Sequence, residues 1–145
     1  MPISNAIIKK VSDATPITNT VNLITAAQGS SPYAIIPGTL SVSIYGVVPD
    51  IDNKKVSFEY FATVLYTANG TEYLAHVDGS TSAEGIDLPD LCAAVGAMPI
   101  VSTVPANNSV TVDEFGAITF NIYYAIDYKK CEETLVSLDM GAPVV

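Results

Sequence analysis

Three observations on this 145-residue chain predict an all-β fold, an antiparallel β-sandwich that is Ig-like or jelly-roll-like. The hydrophobic period is two along most of its length, which is the strand period. Turn chemistry interrupts these runs at short intervals, at Gly29 to Pro32, Pro37-Gly38, Pro49 to Asn53, Asn69-Gly70, Asp78 to Gly85, Pro105 to Asn108 and Asp113 to Gly116. Only LPDLCAAVGA, residues 88 to 97, fits a short helix, with Pro89 in its first turn and Gly96 as its stop. The length implies a single domain over residues 1–145, able to bury about two thirds of its unfolded surface. An N-terminal arm, about 1–12, and a C-terminal tail, about 132–145, are expected to be used in contacts.

Taken in order, the stretch ITNTVNLIT is β-branched and reads as a weak strand. TLSVSIYG alternates, with Leu40, Val42 and Ile44 inward and Ser41 and Ser43 outward. In FEYFATVLYTANGTEYLAHVDGS, residues 58 to 80, Asn69-Gly70 joins two alternating runs and signals a two-residue type I′ hairpin. SVTV leads through DEFG into AITFNIYYAIDY, where Ile118, Phe120, Ile122, Tyr124, Ile126 and Tyr128 share one face. The final CEETLVSLDMGAPVV fits either a last strand or one helical turn and a strand.

The hairpin carries the only histidine, so its register matters. With Asn69-Gly70 at the turn, Ala68 stands opposite Thr71 and Thr63 opposite His76. Phe58, Tyr60, Ala62, Val64 and Tyr66 then join Tyr73, Ala75 and Val77 on the core face. The other face carries Glu59, Phe61, Thr63, Leu65 and Thr67 with Glu72, Leu74, His76 and Asp78. Same-face residues two apart stand roughly 6.6 Å apart along a strand, so Asp78 neighbours His76 and Glu72 is out of its reach. Thr63, His76 and Asp78 share a face, but nothing supplies a concave pocket or an oxyanion hole. No enzyme activity is predicted. Phe61, Leu65 and Leu74 are large apolar groups on a face that should be polar. With His76 they define a candidate partner-contact face, to be covered by another subunit or by a terminal arm of the chain itself.

Composition narrows the function further. Charged residues make up 14% of the chain, the mean hydropathy is +0.37, and the net charge is −9 with no arginine. So little charge suits a surface partly covered by partners. Nucleic-acid binding and anionic membranes are excluded as partners, because phosphate recognition needs clustered Lys or the Arg fork. The six lysines fall instead into three separated pairs, Lys9-Lys10, Lys54-Lys55 and Lys129-Lys130. One histidine and two cysteines, without CxxC spacing, predict no zinc site. DIDN, residues 50 to 53, lacks the glycine and distal Glu of a calcium loop, and Glu84, Asp87 and Asp90 read as a solvated acidic loop. No cofactor-binding motif is present. Eight tyrosines suggest a sugar-stacking platform, for which Tyr45 and Tyr123 are the outward rings, but there is no tryptophan. MPISNAIIKKVSDAT does not have the order of a signal peptide, and no run is long enough to span a membrane. Synthesis in a reducing cytoplasm follows, with Cys92 and Cys131 expected as free, buried thiols.

The start MPISNAIIKKVSDATPITNTVNLIT and the strands TLSVSIYG and AITFNIYYAIDY give the chain its style, small, acidic and rich in Thr, Ser and Val. In class and style it resembles the small all-β accessory structural proteins of tailed-bacteriophage virions, of the capsid-decoration or auxiliary type. That resemblance implies a non-enzymatic structural protein of a viral particle, made in the host cytoplasm and located in the virion. It would bind copies of itself, the major capsid protein or other virion proteins through strand faces and terminal arms, stabilising the assembly. The alternative reading is a ligand-binding or adhesion β-sandwich module for carbohydrate or surface binding.

Overall fold

The long alternating runs become the two central strands of a sandwich. The computed structural model describes residues 3–81, 84–92 and 98–139, with side chains over 10–81, 84–92 and 98–131. Among these residues eleven strands follow in chain order: β1 (Ile3–Asp13), β2 (Ile17–Ala26), β3 (Tyr33–Ile35), β4 (Ser41–Asp50), β5 (Lys55–Ala68), β6 (Thr71–Ser80), β7 (Ile86–Asp87), β8 (Ile100–Thr103), β9 (Ser109–Val112), β10 (Ala117–Asp127) and β11 (Lys129–Asp139). One turn of 3₁₀ helix, Pro105–Asn107, separates β8 from β9.

All pairings are antiparallel, and the sheets stay separate rather than closing into a barrel. In one sheet β10 lies between β2 and, on its other side, β8 and β9 placed end to end. In the other, β5 lies between β3 and β4 end to end and β6 and β7 end to end. The sheets stack with β2 over β6, β4 over β8 and β3 over β9. The chain traces one path twice: an edge strand, a crossing to the far edge of the other sheet, then a hairpin into its centre strand.

Three of the four edges are interrupted in the same way. Ile35 and Ser41 pair with Tyr66 and Thr63, Ser80 and Ile86 with Glu59 and Val56, and Thr103 and Asn108's successor Ser109 with Tyr124 and Asn121. In each case six residues on the edge span three on the centre strand. The surplus forms a loop that ends the ladder locally, which is how natural sheets blunt an edge. β4 is blunted again by a bulge, where Gly46 and Val47 stand against Phe58 alone. Gly46 has φ +62 there, the left-handed conformation that favours glycine at such a bulge.

Alternation decides the core. Val56, Phe58, Tyr60, Ala62, Val64 and Tyr66 of β5 are buried against Ile118, Phe120, Ile122, Tyr124 and Ile126 of β10. Phe58 and Tyr124 meet edge to face across the sheets with centroids 5.2 Å apart, and Tyr60 lies 6.0 Å from Tyr124. The polar ends of buried tyrosines find partners: Gln28 N–H donates to the Tyr66 hydroxyl at 2.6 Å, and the Tyr128 hydroxyl donates to the Pro89 carbonyl at 2.8 Å.

Two expectations are corrected. Leu88 to Cys92 is not helical: it is a turn followed by a single bridge from Leu91 to Lys130, and Asp90 has φ +62, which a helix does not hold. Leu88, Leu91 and Cys92 are buried together, so their spacing of three and four mimics a helix face. Residues 93–97 of the predicted helix lie outside the described residues. The thiols are not free either. Cys92 N–H donates to the Lys129 carbonyl and Cys131 N–H to the Asp90 carbonyl, which sets the two Cα atoms 4.9 Å apart in a disulfide. A short local ladder, invisible to periodicity, makes that pair.

The two ends of the chain also find each other. β1 and β11 form a two-stranded ribbon in continuous register from Ile3 opposite Asp139 to Asp13 opposite Lys129. Lys9 stands opposite Glu133 and Lys10 opposite Glu132, and Asp13 and Lys129 form an ion pair. The Asp13–Lys129 pair, of opposite charge across the ladder, favours this register. The segment that fitted either a strand or a turn and strand is thus a strand as far as Asp139. Ala14 N–H donates to the Tyr128 carbonyl where the ribbon leaves the sandwich. The β4–β5 turn lies at this end, since Leu88 N–H donates to the Lys54 carbonyl at 2.8 Å. The opposite end holds the Asn69-Gly70 turn, the Gly29 to Tyr33 loop and the Asp113 to Gly116 turn, tied together by Asn69 N–H to Pro32 O and Ala27 N–H to Gly116 O.

Candidate functional site

The hairpin register is the one that Asn69-Gly70 dictates. Both turn residues have positive φ, +49 and +81, as a type I′ turn requires. Phe61 stands opposite Asp78, Thr63 opposite His76 and Leu65 opposite Leu74. The four predicted contact residues therefore lie on one outer sheet face, alternating with the buried Ala62, Val64, Ala75 and Val77. Phe61 is 39% exposed and Leu74 59%, while Leu65 is half-buried and His76 exposed. The Phe61 and His76 rings stack obliquely, with centroids 6.3 Å apart.

Pairing of β4 with β5 adds what the hairpin alone did not disclose. Ser41 stands opposite Thr63, Ser43 opposite Phe61 and Tyr45 opposite Glu59. Outward of the sheet this gives a patch with Phe61 at its centre, small hydroxyls on one side, and Asp78 and His76 on the other. Ser41 and Ser43 are short side chains beside the Phe61 ring, which stays partly exposed. Tyr45, 46% exposed, extends the patch towards the bulge at Gly46. The alternation of TLSVSIYG marked Ser41 and Ser43 as outward, but their juxtaposition with Phe61 needed the strand order.

Chemically this is an open apolar sheet face and not a cleft. His76 neighbours Thr63 and Asp78 on an open sheet face, and it lines none of the described cavities. The terminal strands pair with each other and leave Phe61 and Leu74 open to solvent. The two outward tyrosines lie on different sheets, Tyr45 on β4 and a half-buried Tyr123 on β10, so they build no common platform. Among the described residues no group of three His, Cys, Asp or Glu side chains is close enough to hold a metal. In the DIDN turn the Asp50 carboxylate accepts from Asn53 N–H at 3.1 Å and from its side-chain amide at 2.8 Å. Those bonds hold its pKa below the ordinary carboxylate value. Among the described residues no helix is long and apolar enough to cross a membrane.

Fold and site together define an antiparallel β-sandwich with an uncovered apolar patch on one sheet. No family model, no curated protein and no solved structure matches the chain.

Proposed function

We propose that the protein is a non-enzymatic structural subunit of a viral particle, binding copies of itself or neighbouring virion proteins and so stabilising the assembly. The observation that carries the assembly reading is the patch of exposed Phe61 and Leu74 with half-buried Leu65, three large apolar groups on a face that a solitary sandwich keeps polar. The viral setting rests on the resemblance in class and style of the whole chain. Sedimentation velocity on the wild type and on Phe61→Glu and Leu74→Glu tests the patch. A buried carboxylate in each variant should weaken association about tenfold or more while leaving the fold intact. Association unchanged in both variants would remove the patch from the account.

A further inference from the structure

The two ends of the sandwich differ in charge and shape. Arginine is absent and all six lysines lie at or beyond the end from which the ribbon leaves: Lys54 and Lys55 at the β4–β5 turn, Lys129 and Lys130 at the start of β11, and Lys9 and Lys10 on β1. The opposite end, separated from it by the full length of β10 or roughly 34 Å, carries carboxylates and no cation. There a cleft of about 500 Å³ lies between the Ser31 to Tyr33 loop and the β9–β10 turn, lined by Pro32, Tyr33, Val112, Asp113, Glu114 and Phe115.

The cleft is built from fixed backbone. The Asp113 carboxylate accepts from Phe115 N–H and Ala117 N–H, both at 2.9 Å. Gly116 has φ +87, and a Cβ there would come within 3.0 Å of the Tyr33 ring, so turn and loop seat each other closely. The Phe115 ring is 85% exposed there, and Glu114 lines the same cleft. Aromatic faces beside carboxylates attract an ammonium group.

At the other end Lys54 offers one. It is exposed at a turn tip, with its backbone pinned by N–H to Ile51 O and by the bond from Leu88 N–H, and no ion pair among the described residues engages it. Lys55 and Lys129 are paired, with Asp87 and Asp13. We infer that copies associate head to tail, the Lys54 ammonium of one entering the Tyr33, Phe115 and Glu114 cleft of the next. This rests on the assembly reading and gives it a second, distinct contact. A contact between two different patches repeats from copy to copy, closing a ring or extending a filament.

Charge reversal tests it. Glu114→Lys and Lys54→Glu should each weaken association about tenfold, and the double variant should restore it, a rescue that misfolding cannot imitate. Carbodiimide cross-linking of associated wild-type protein should join Lys54 of one copy to Glu114 or Asp113 of another, and Phe61→Glu should not redirect that link. Association that ignores both reversals, or links mapping to other lysines, overturns the head-to-tail contact while leaving assembly through the sheet face intact. A chain that stays monomeric at every concentration overturns both.

Discussion

Phe58 and Phe61 lie three positions apart on β5 and have opposite roles, because one residue of offset turns a strand side chain to the other face. Phe58 is 1% exposed and meets Tyr60 and Tyr124 edge to face. Phe58→Ala should cost about 3–5 kcal/mol in urea unfolding, the usual loss for a buried aromatic. Phe61→Ser removes no core contact and should change monomer stability by about 0.5 kcal/mol or less, so its effect belongs to association. The buried tyrosines make a second prediction. Burial raises the pKa of Tyr60, helped by Tyr124 beside it, and burial raises those of Tyr124 and Tyr128 above the ordinary 10.0. The unfolded chain therefore loses these protons first. The stability they confer is fully present below about pH 10 and declines as pH rises through the folded-state values. A urea midpoint measured across that alkaline range should fall, and Tyr60→Phe should flatten the fall; an identical slope in the variant would refute the assignment.

At the scale of elements, the parts written in local chemistry were the readable ones. Asn69-Gly70 set the β5–β6 register to the residue, and with it the Phe61, Leu65, Leu74 and His76 face. The alternation of β10 assigned its core side chains. Edge strands broken by three-residue surpluses were not readable, since β3, β7 and β8 are too short to show a period and exist only through a centre strand. The β1–β11 ribbon joins segments more than a hundred positions apart, and its cross-strand Lys and Glu pairs have meaning only once that register is known. The Cys92–Cys131 bond fell outside the expectation because it depends on the short ladder between residues 90–92 and 129–131. Closing a loop of 39 residues, it should contribute up to about 4 kcal/mol. Denaturation with and without reductant measures this directly, and Cys131→Ser should reproduce the reduced value. Gly116→Ala should cost about 1–2 kcal/mol, from its left-handed φ and the approach of Tyr33. A neutral result would mean that the loop and turn do not seat each other.

The core of the whole molecule is satisfied, and its leftover features lie at the surface. Among the described residues no buried side-chain polar atom lacks a partner, so the sandwich needs nothing more inside. What remains lies outside: an apolar patch on one sheet, a cationic end and an acidic aromatic end, and a ribbon that among the described residues has two strands only. Isolated two-stranded ribbons are marginal in water. On the proposed reading each leftover is met by contact with another protein subunit. The most direct measurement is the mass by light scattering of the oxidised wild-type chain over a concentration series at low and high salt. The account predicts masses rising to multiples of 15.2 kDa, with the rise blunted by Phe61→Glu and part of it lost at high salt. A mass of one chain throughout, unaltered by Phe61→Glu or by salt, would contradict it.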